Sequence, residues 1–160
     1  MLPDVKKILY ASDIDKGSRP AFRAAISLCG HYRSEITYLH VIEPLSASAQ
    51  SIVETMINEH DLNELHDQSL KNLKVKIEER IDRFCKAELE EGELLADGSL
   101  TSRVEEGTPW RTILRVADEI DADVIVMGTR THSAMGQFLM GSTANKVMHH
   151  SKRPVLIVPL

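Results

Sequence analysis

The stretch Val124–Ser142, VIVMGTRTHSAMGQFLMGS, carries the residues of this chain best suited to chemistry, and that chemistry is the binding of an anion. Four apolar residues, Val124 to Met127, run into Gly128. A polar segment follows, and then Gly141-Ser142 opens a helix-like run. This is the pattern of a buried strand emptying into a loop that ends at a helix N-terminus. Backbone N–H groups without helical partners converge there with the positive end of the helix dipole. The charge distribution agrees. No Asp or Glu occurs from Val124 to Leu160, whereas Arg130, Lys146, Lys152 and Arg153 add four positive charges. The chain as a whole carries −5, so the first 123 residues carry −9. An acidic protein with one acid-free end presents that end to a negatively charged ligand.

The remaining elements must position this loop. Lys7 to Ala11 (KILYA) is a short apolar run ending at Ser12-Asp13 and predicts the first strand. Ser18 caps a helix with Pro20 in its first turn. Phe22, Ala25, Ile26 and Cys29 recur along it at helical spacing, and Gly30 closes the run. Ile36 to Ile42 (ITYLHVI) is rich in β-branched and aromatic residues, predicts a strand, and is stopped by Pro44. From Leu45 to Glu59 the sequence is small and polar without a clear period, which predicts a mobile segment. Leu62, Leu65, Leu73, Ile77, Ile81, Phe84 and Leu89 then follow a three-to-four spacing, an amphipathic helix ended by Gly92.

Leu100 to Glu105 (LTSRVE) alternates as an edge or half-buried strand does. Gly107 turns the chain, and Thr108-Pro109 reads as a cap followed by proline at the first helical position. Trp110, Ile113, Leu114, Ala117 and Ile120 share one face of the next helix. After the focal strand and loop, a helix turns Ala144, Val147 and Met148 inward, and Val155 to Val158 (VLIV) is the last strand. Five strands alternating with four helices, some strands continuously apolar, predict an α/β fold: an open parallel sheet covered on both faces. Such a sheet binds ligands outside the carboxyl ends of its strands, where the strand order reverses. Asp13 and Gly128 both fall on that edge.

Composition narrows the classes. At 160 residues the chain fits a single domain, residues 1–160, long enough to bury a core. Its 42% hydrophobic and 27% charged residues are ordinary for a folded protein, which removes disorder as the default. The net negative charge argues against non-specific binding of nucleic acid, which needs a basic surface. Cys29 and Cys85 each fall on an apolar helical face without a Cys-x-x-Cys pattern, as buried free thiols of a reducing compartment do. The N-terminus has no apolar stretch of signal-peptide length, and no run approaches the ~20 apolar residues of a membrane span. A cytoplasmic protein without a membrane role is expected.

The residues ILYASD, LHVIEP, VEEGTP and above all DVIVMGT…MGSTANKVMHHSKRPVLIVP resemble the universal stress protein family over nearly the whole chain. The nucleotide-binding members carry Gly, two residues, Gly, nine residues, then Gly with Ser or Thr. Gly128, Gly141 and Ser142 occupy the outer positions at the right spacing, and Thr131 stands where the middle glycine belongs. The resemblance implies a Rossmann-like sheet of order 3-2-1-4-5, of the adenine nucleotide alpha-hydrolase type. It also implies a homodimer paired through Val155–Val158, and ATP, ADP or AMP as ligand, with or without Mg. Asp13 and Val41 would contact the adenosine moiety, with Ala11 and Ser12 on the same strand end. Met127 and Gly128 would line the ribose side, and Gly141, Ser142 and Thr143 would hold phosphate. A β-branched residue forced into a glycine conformation costs on the order of 1–3 kcal/mol, so Thr131 weakens such a site roughly ten- to a hundredfold unless the loop takes another path. In that case the Thr131 hydroxyl or the Arg130 guanidinium supplies a phosphate contact instead.

Plainer roles compete. Gly128 also serves as a strand-end turn, Asp13 as a turn cap, and Arg130 and His132 as solvated loop residues. His149 and His150 suit the carboxyl end of the last helix, and as neighbours on a helix they do not face one metal. Met127, Met135, Met140 and Met148 suit packing. No Walker-type loop, Gly-x-Gly-x-x-Gly, His-Glu-x-x-His or Gly-x-Ser-x-Gly is present, and no motif places a general base. Catalysis is therefore not assigned; a weak ATPase or self-phosphorylation at Ser142 or Thr143 would need more than a phosphate cradle. Three functional readings stand: a stress-response dimer that binds an adenine nucleotide and signals to unknown protein partners; the same fold without useful nucleotide affinity, acting through protein contacts only; and, last for want of catalytic residues, an enzyme of the wider adenine nucleotide alpha-hydrolase-like group.

Overall fold

In the computed structural model the described residues are 4–12, 19–32, 34–88, 100–129 and 141–160. The chain divides into two compact units, residues 1–42 with 95–160, and residues 43–94. The first unit holds the sheet. Its strands are β1 (Lys7–Ala11), β2 (Glu35–Ile42), β3 (Leu100–Glu106), β4 (Val124–Gly128) and β5 (Val155–Val158), with helices α1 (Arg19–Tyr32), α4 (Pro109–Glu119) and α5 (Ser142–His150). The second unit holds α2 (Ala47–Met56) and α3 (Glu59–Glu88).

The strands lie in the order β3-β2-β1-β4-β5, all parallel, as the resemblance implies. Apolar content alone does not fix the register. Ile8, Leu9 and Tyr10 on β1 and Ile125 and Val126 on β4 are fully buried, so a slip by one residue would not expose either face but would misalign the strand ends. At those ends Ala11 stands opposite Leu39 on one side and Met127 on the other. At the amino end, one oxygen of Asp123 accepts from the amides of Lys6 at 2.7 Å and Lys7 at 2.9 Å, tying the start of β1 to the start of β4.

The two faces are packed differently. Leu9, Ala11, Leu39, Ile125 and Met127 join Ile113, Val116 and Ala117 of α4 and Ala144 and Val147 of α5 in one apolar cluster. The other face carries an aromatic trio. Tyr10 stacks on Phe22 of α1 at 5.1 Å between ring centroids and meets Tyr38 edge-on at 4.9 Å. Each fully buried aliphatic side chain in such packing contributes about 1.5–3 kcal/mol.

The helices depart from the sequence pattern in instructive ways. α1 continues past Gly30 to Tyr32. The segment expected to be mobile contains α2, started by Ser46, whose hydroxyl accepts from the Ala49 amide at 3.3 Å. None of its side chains is buried, which is why no apolar period announced it. α3 is the predicted amphipathic helix with Ile77 and Phe84 buried; Leu89 and Gly92 lie outside the described residues. On α4 the fully buried residue is Val116, with Ile113 and Ala117 beside it, while Trp110, Leu114 and Ile120 are only partly buried against the same cluster. The inward face is thus rotated from the one predicted, because α4 also packs against α5. On α5, Ala144 and Val147 point inward as expected, but Met148 is 44% exposed. Among the cysteines, Cys29 is buried and its thiol donates to the Ser34 carbonyl at 2.8 Å, whereas Cys85 is only partly buried; both are free. No described helix is long and apolar enough to cross a membrane.

Candidate nucleotide site

The strand order reverses between β1 and β4. β1 leads toward β2 and β4 toward β5, so the connections leave in opposite directions, and the edge beyond Ala11 and Met127 is the switch point where open parallel sheets take their ligands. A helix returning between two parallel strands runs antiparallel to them, so α5 begins at this same edge.

Ser12, directly after β1, is held by β2 at three atoms. Its amide donates to the Leu39 carbonyl at 2.9 Å, its hydroxyl accepts from the Tyr38 hydroxyl at 3.1 Å, and its carbonyl meets His40 Nδ1 at 2.8 Å. The carbonyl can only accept, so this nitrogen carries the proton. Ala11 and Met127 have their side chains in the apolar cluster, at 9% and 5% exposure, and Val41 packs against it. What Met127 offers a ligand at this edge is therefore backbone, not its thioether.

Beyond Met127 the chain is held by β5. Gly128 stands opposite Val158, and the Thr129 amide donates to the Val158 carbonyl at 3.0 Å. Gly128 alternates away from Met127 to the face that carries α1. There the side chain of Leu160 fills the space a Cβ would need, 2.5 Å from its nearest atom. The Thr129 hydroxyl is buried without a hydrogen-bond partner among the described residues.

α5 opens on Gly141, at φ −55° and ψ 151°, with no side-chain cap and no acidic residue in its first turn. Asn145 is the first residue whose amide is seen to close the helical ladder, onto the Gly141 carbonyl at 3.0 Å. The amides of Ser142, Thr143 and Ala144 thus precede the ladder, and an anion is the partner such a terminus favours. The Ser142 side chain is exposed and that of Thr143 partly so.

The structure therefore gathers Ala11, Ser12, Val41, Met127, Gly128, Gly141, Ser142 and Thr143 along one edge of the sheet and around it. Asp13, Arg130, Thr131 and His132 lie outside the described residues, as do Met135 and Met140. Three further residues belong to the edge: Tyr38 and His40, which hold Ser12, and Thr129. Strand alternation in the sequence puts the two on β2 on one face, but their place beside Ser12 follows from the register of Leu39 with Ala11. Thr129 carried no such signal.

Residues 4–159 match the universal stress protein family. The chain belongs to that family. Among its relatives, universal stress protein MJ0577 of Methanocaldococcus jannaschii is 27% identical over 156 residues, covering 96% of this chain and 94% of that one. The fold is shared with universal stress protein UspA from Lactobacillus plantarum, with a TM-score of 0.71 at 20% identity over 98% of this chain and 99% of that one. A universal stress protein in complex with cAMP gives a TM-score of 0.66 at 22% identity, covering 98% of each chain. The family's five-stranded order is the one observed here.

Proposed function

We propose that this protein is a stress-response module that binds ATP or a related adenine nucleotide, ADP or AMP, with or without Mg, at the switch point between β1 and β4. The observation that carries the reading is the amino end of α5: three amides ahead of the helical ladder, a glycine cap, no acid in the first turn, in an acid-free end of the chain. Phosphate would settle on those amides and adenosine toward Ala11, Ser12, Asp13 and Val41. The Thr129 hydroxyl, without a partner among the described residues, is a donor suited to a ribose or phosphate oxygen. A relative of the same fold is described in complex with cAMP, which supports the ligand class.

The protein would work as a homodimer paired through β5. The two edges of the sheet differ. β3 is armoured by Arg103 and Glu105, linked to Arg115 and Glu119 of α4. β5 presents four apolar residues with Leu156 39% exposed, an edge that invites a second strand. Both cysteines being free suits the cytoplasm.

Titration calorimetry with ATP-Mg, after heat extraction of any co-purified ligand, tests the nucleotide. Saturable binding is expected, tightened by Thr131→Gly. Absence of binding by both forms at millimolar ATP would remove the reading. The alternative, a dimer acting through protein contacts alone, gains one observation: Leu160 already occupies the space beside Gly128. It predicts no ATP binding with partner contacts intact.

A further inference from the structure

Three atoms of Ser12 are engaged by β2: its amide by Leu39, its hydroxyl by Tyr38, its carbonyl by His40. The first of these continues the ladder of the parallel pair. The other two do not, and both come from side chains on the face opposite the α4–α5 cluster. Tyr38 is itself fixed in the aromatic trio, 5.2 Å from the ring of Phe22. The His40 contact has a geometric consequence. A carbonyl and the amide that follows it share one plane, so a hydrogen bond to the Ser12 carbonyl sets the plane of the peptide through which the chain leaves β1. That peptide leads directly into Asp13.

We infer that His40 is a positioning residue for the base end of the nucleotide site: by donating Nδ1–H to the Ser12 carbonyl it holds the exit of β1 in the orientation that receives adenosine. The inference rests on the nucleotide reading above and deepens it. His40 acts on the base end alone, because the phosphate end is built by α5 on the other side of the switch point. Loss of His40 should therefore reduce discrimination between a nucleotide and its bare polyphosphate, a ratio that general destabilisation leaves alone.

The test compares ATP-Mg with inorganic tripolyphosphate-Mg by calorimetry on the full chain, for wild type, His40→Leu, His40→Asn and His40→Gln. The Asn side-chain nitrogen stands the same number of bonds from Cβ as Nδ1, whereas the Gln nitrogen does not. His40→Leu should weaken ATP roughly tenfold, the worth of one well-made hydrogen bond, with tripolyphosphate affinity held. His40→Asn should restore ATP and His40→Gln should not. Amide exchange at Ser12 should quicken in His40→Leu even without ligand. Should His40→Leu fail to melt cooperatively, Tyr38→Phe removes only the hydroxyl contact and should show a smaller loss of the same selective kind. Equal loss of both probes, or unchanged ATP affinity in a His40→Leu protein whose wild type binds ATP, overturns the inference and leaves the nucleotide reading standing. Wild type that binds neither probe overturns both.

Discussion

The side chain of Leu160 lies where Gly128 would carry a Cβ: its Cδ1, Cγ and Cδ2 stand 2.5, 2.8 and 3.1 Å from that point. Gly128 thus has a reason to be glycine that involves no ligand. Gly128→Ala is expected to push Leu160 aside at a cost of about 1 kcal/mol, a fall of roughly 2–4 °C in Tm for a chain of this size. Leu160→Ala in the same chain should return most of it, which a double-mutant cycle in thermal melts would show. If the ligand needs that space, apparent affinity is lowered by the fraction of molecules with Leu160 swung away. Leu160→Ala alone should then tighten ATP roughly threefold to tenfold; unchanged affinity would leave the contact purely structural.

Gly107, between β3 and α4, has φ +145°, and a Cβ there would stand 2.6 Å from the buried Thr112 hydroxyl. Its amide donates to the Ile42 carbonyl at 3.0 Å, joining the ends of β2 and β3. Gly107→Ala therefore meets both backbone strain and a clash, and should cost on the order of 1–3 kcal/mol. Thr112→Ala in the same chain relieves only the clash. Urea melts showing full recovery in the pair would mean that the backbone strain is negligible.

Glu105 sits between Arg103, at 2.5 Å, and Arg115, at 2.9 Å, and Glu119 bonds to both arginines. Burial pushes the Glu105 carboxyl up, but the hydrogen bonds from Arg103 and Arg115 outweigh it and hold the pKa below the usual carboxylate value. Separate hydrogen bonds from the same two arginines lower Glu119. Carboxylates depressed by folding stabilise the native state fully above their unfolded pKa, about 4.3. That contribution disappears as pH falls through the lower folded values. Tm should accordingly be flat in this respect above about pH 5 and fall below about 4.3. Glu105→Gln should flatten the acid limb and lower the neutral plateau by at most about 1 kcal/mol. Melts across that window check both, and an acid limb as steep in the variant as in the wild type would sink the assignment.

The sheet was legible because its strands carry their own signal: KILYA, ITYLHVI, VIVM and VLIV are apolar runs of strand length, and all four are strands. The order of those strands came from the family resemblance. α2 was not legible, since a helix with no buried face has no apolar stripe to reveal it. Met148 was misplaced because helical spacing gives a face and not its limits; Val147, its neighbour, took the core position. For the candidate site, spacing pointed to Gly128 and Gly141-Ser142, but the tie from Tyr38 and His40 to Ser12 depends on strand register, which exists only once the sheet is assembled.

The amides of α5 can be tested one at a time. Ser142 is the first helical residue, and Gly141 before it has ψ 151°, a conformation that precedes proline without strain. Proline at this position lacks the N–H and fits the first helical turn. Ser142→Pro therefore deletes one candidate phosphate donor together with the hydroxyl, while Ser142→Ala deletes the hydroxyl alone. If phosphate rests on the backbone, Ser142→Ala should bind ATP within about threefold of wild type, whereas Ser142→Pro should lose roughly ten- to a hundredfold, the worth of one hydrogen bond to a charged group. Tm should barely change in either. Equal affinities for the two variants in calorimetry would mean that the first amide of α5 does not touch the ligand, and the phosphate would have to be sought elsewhere along the edge.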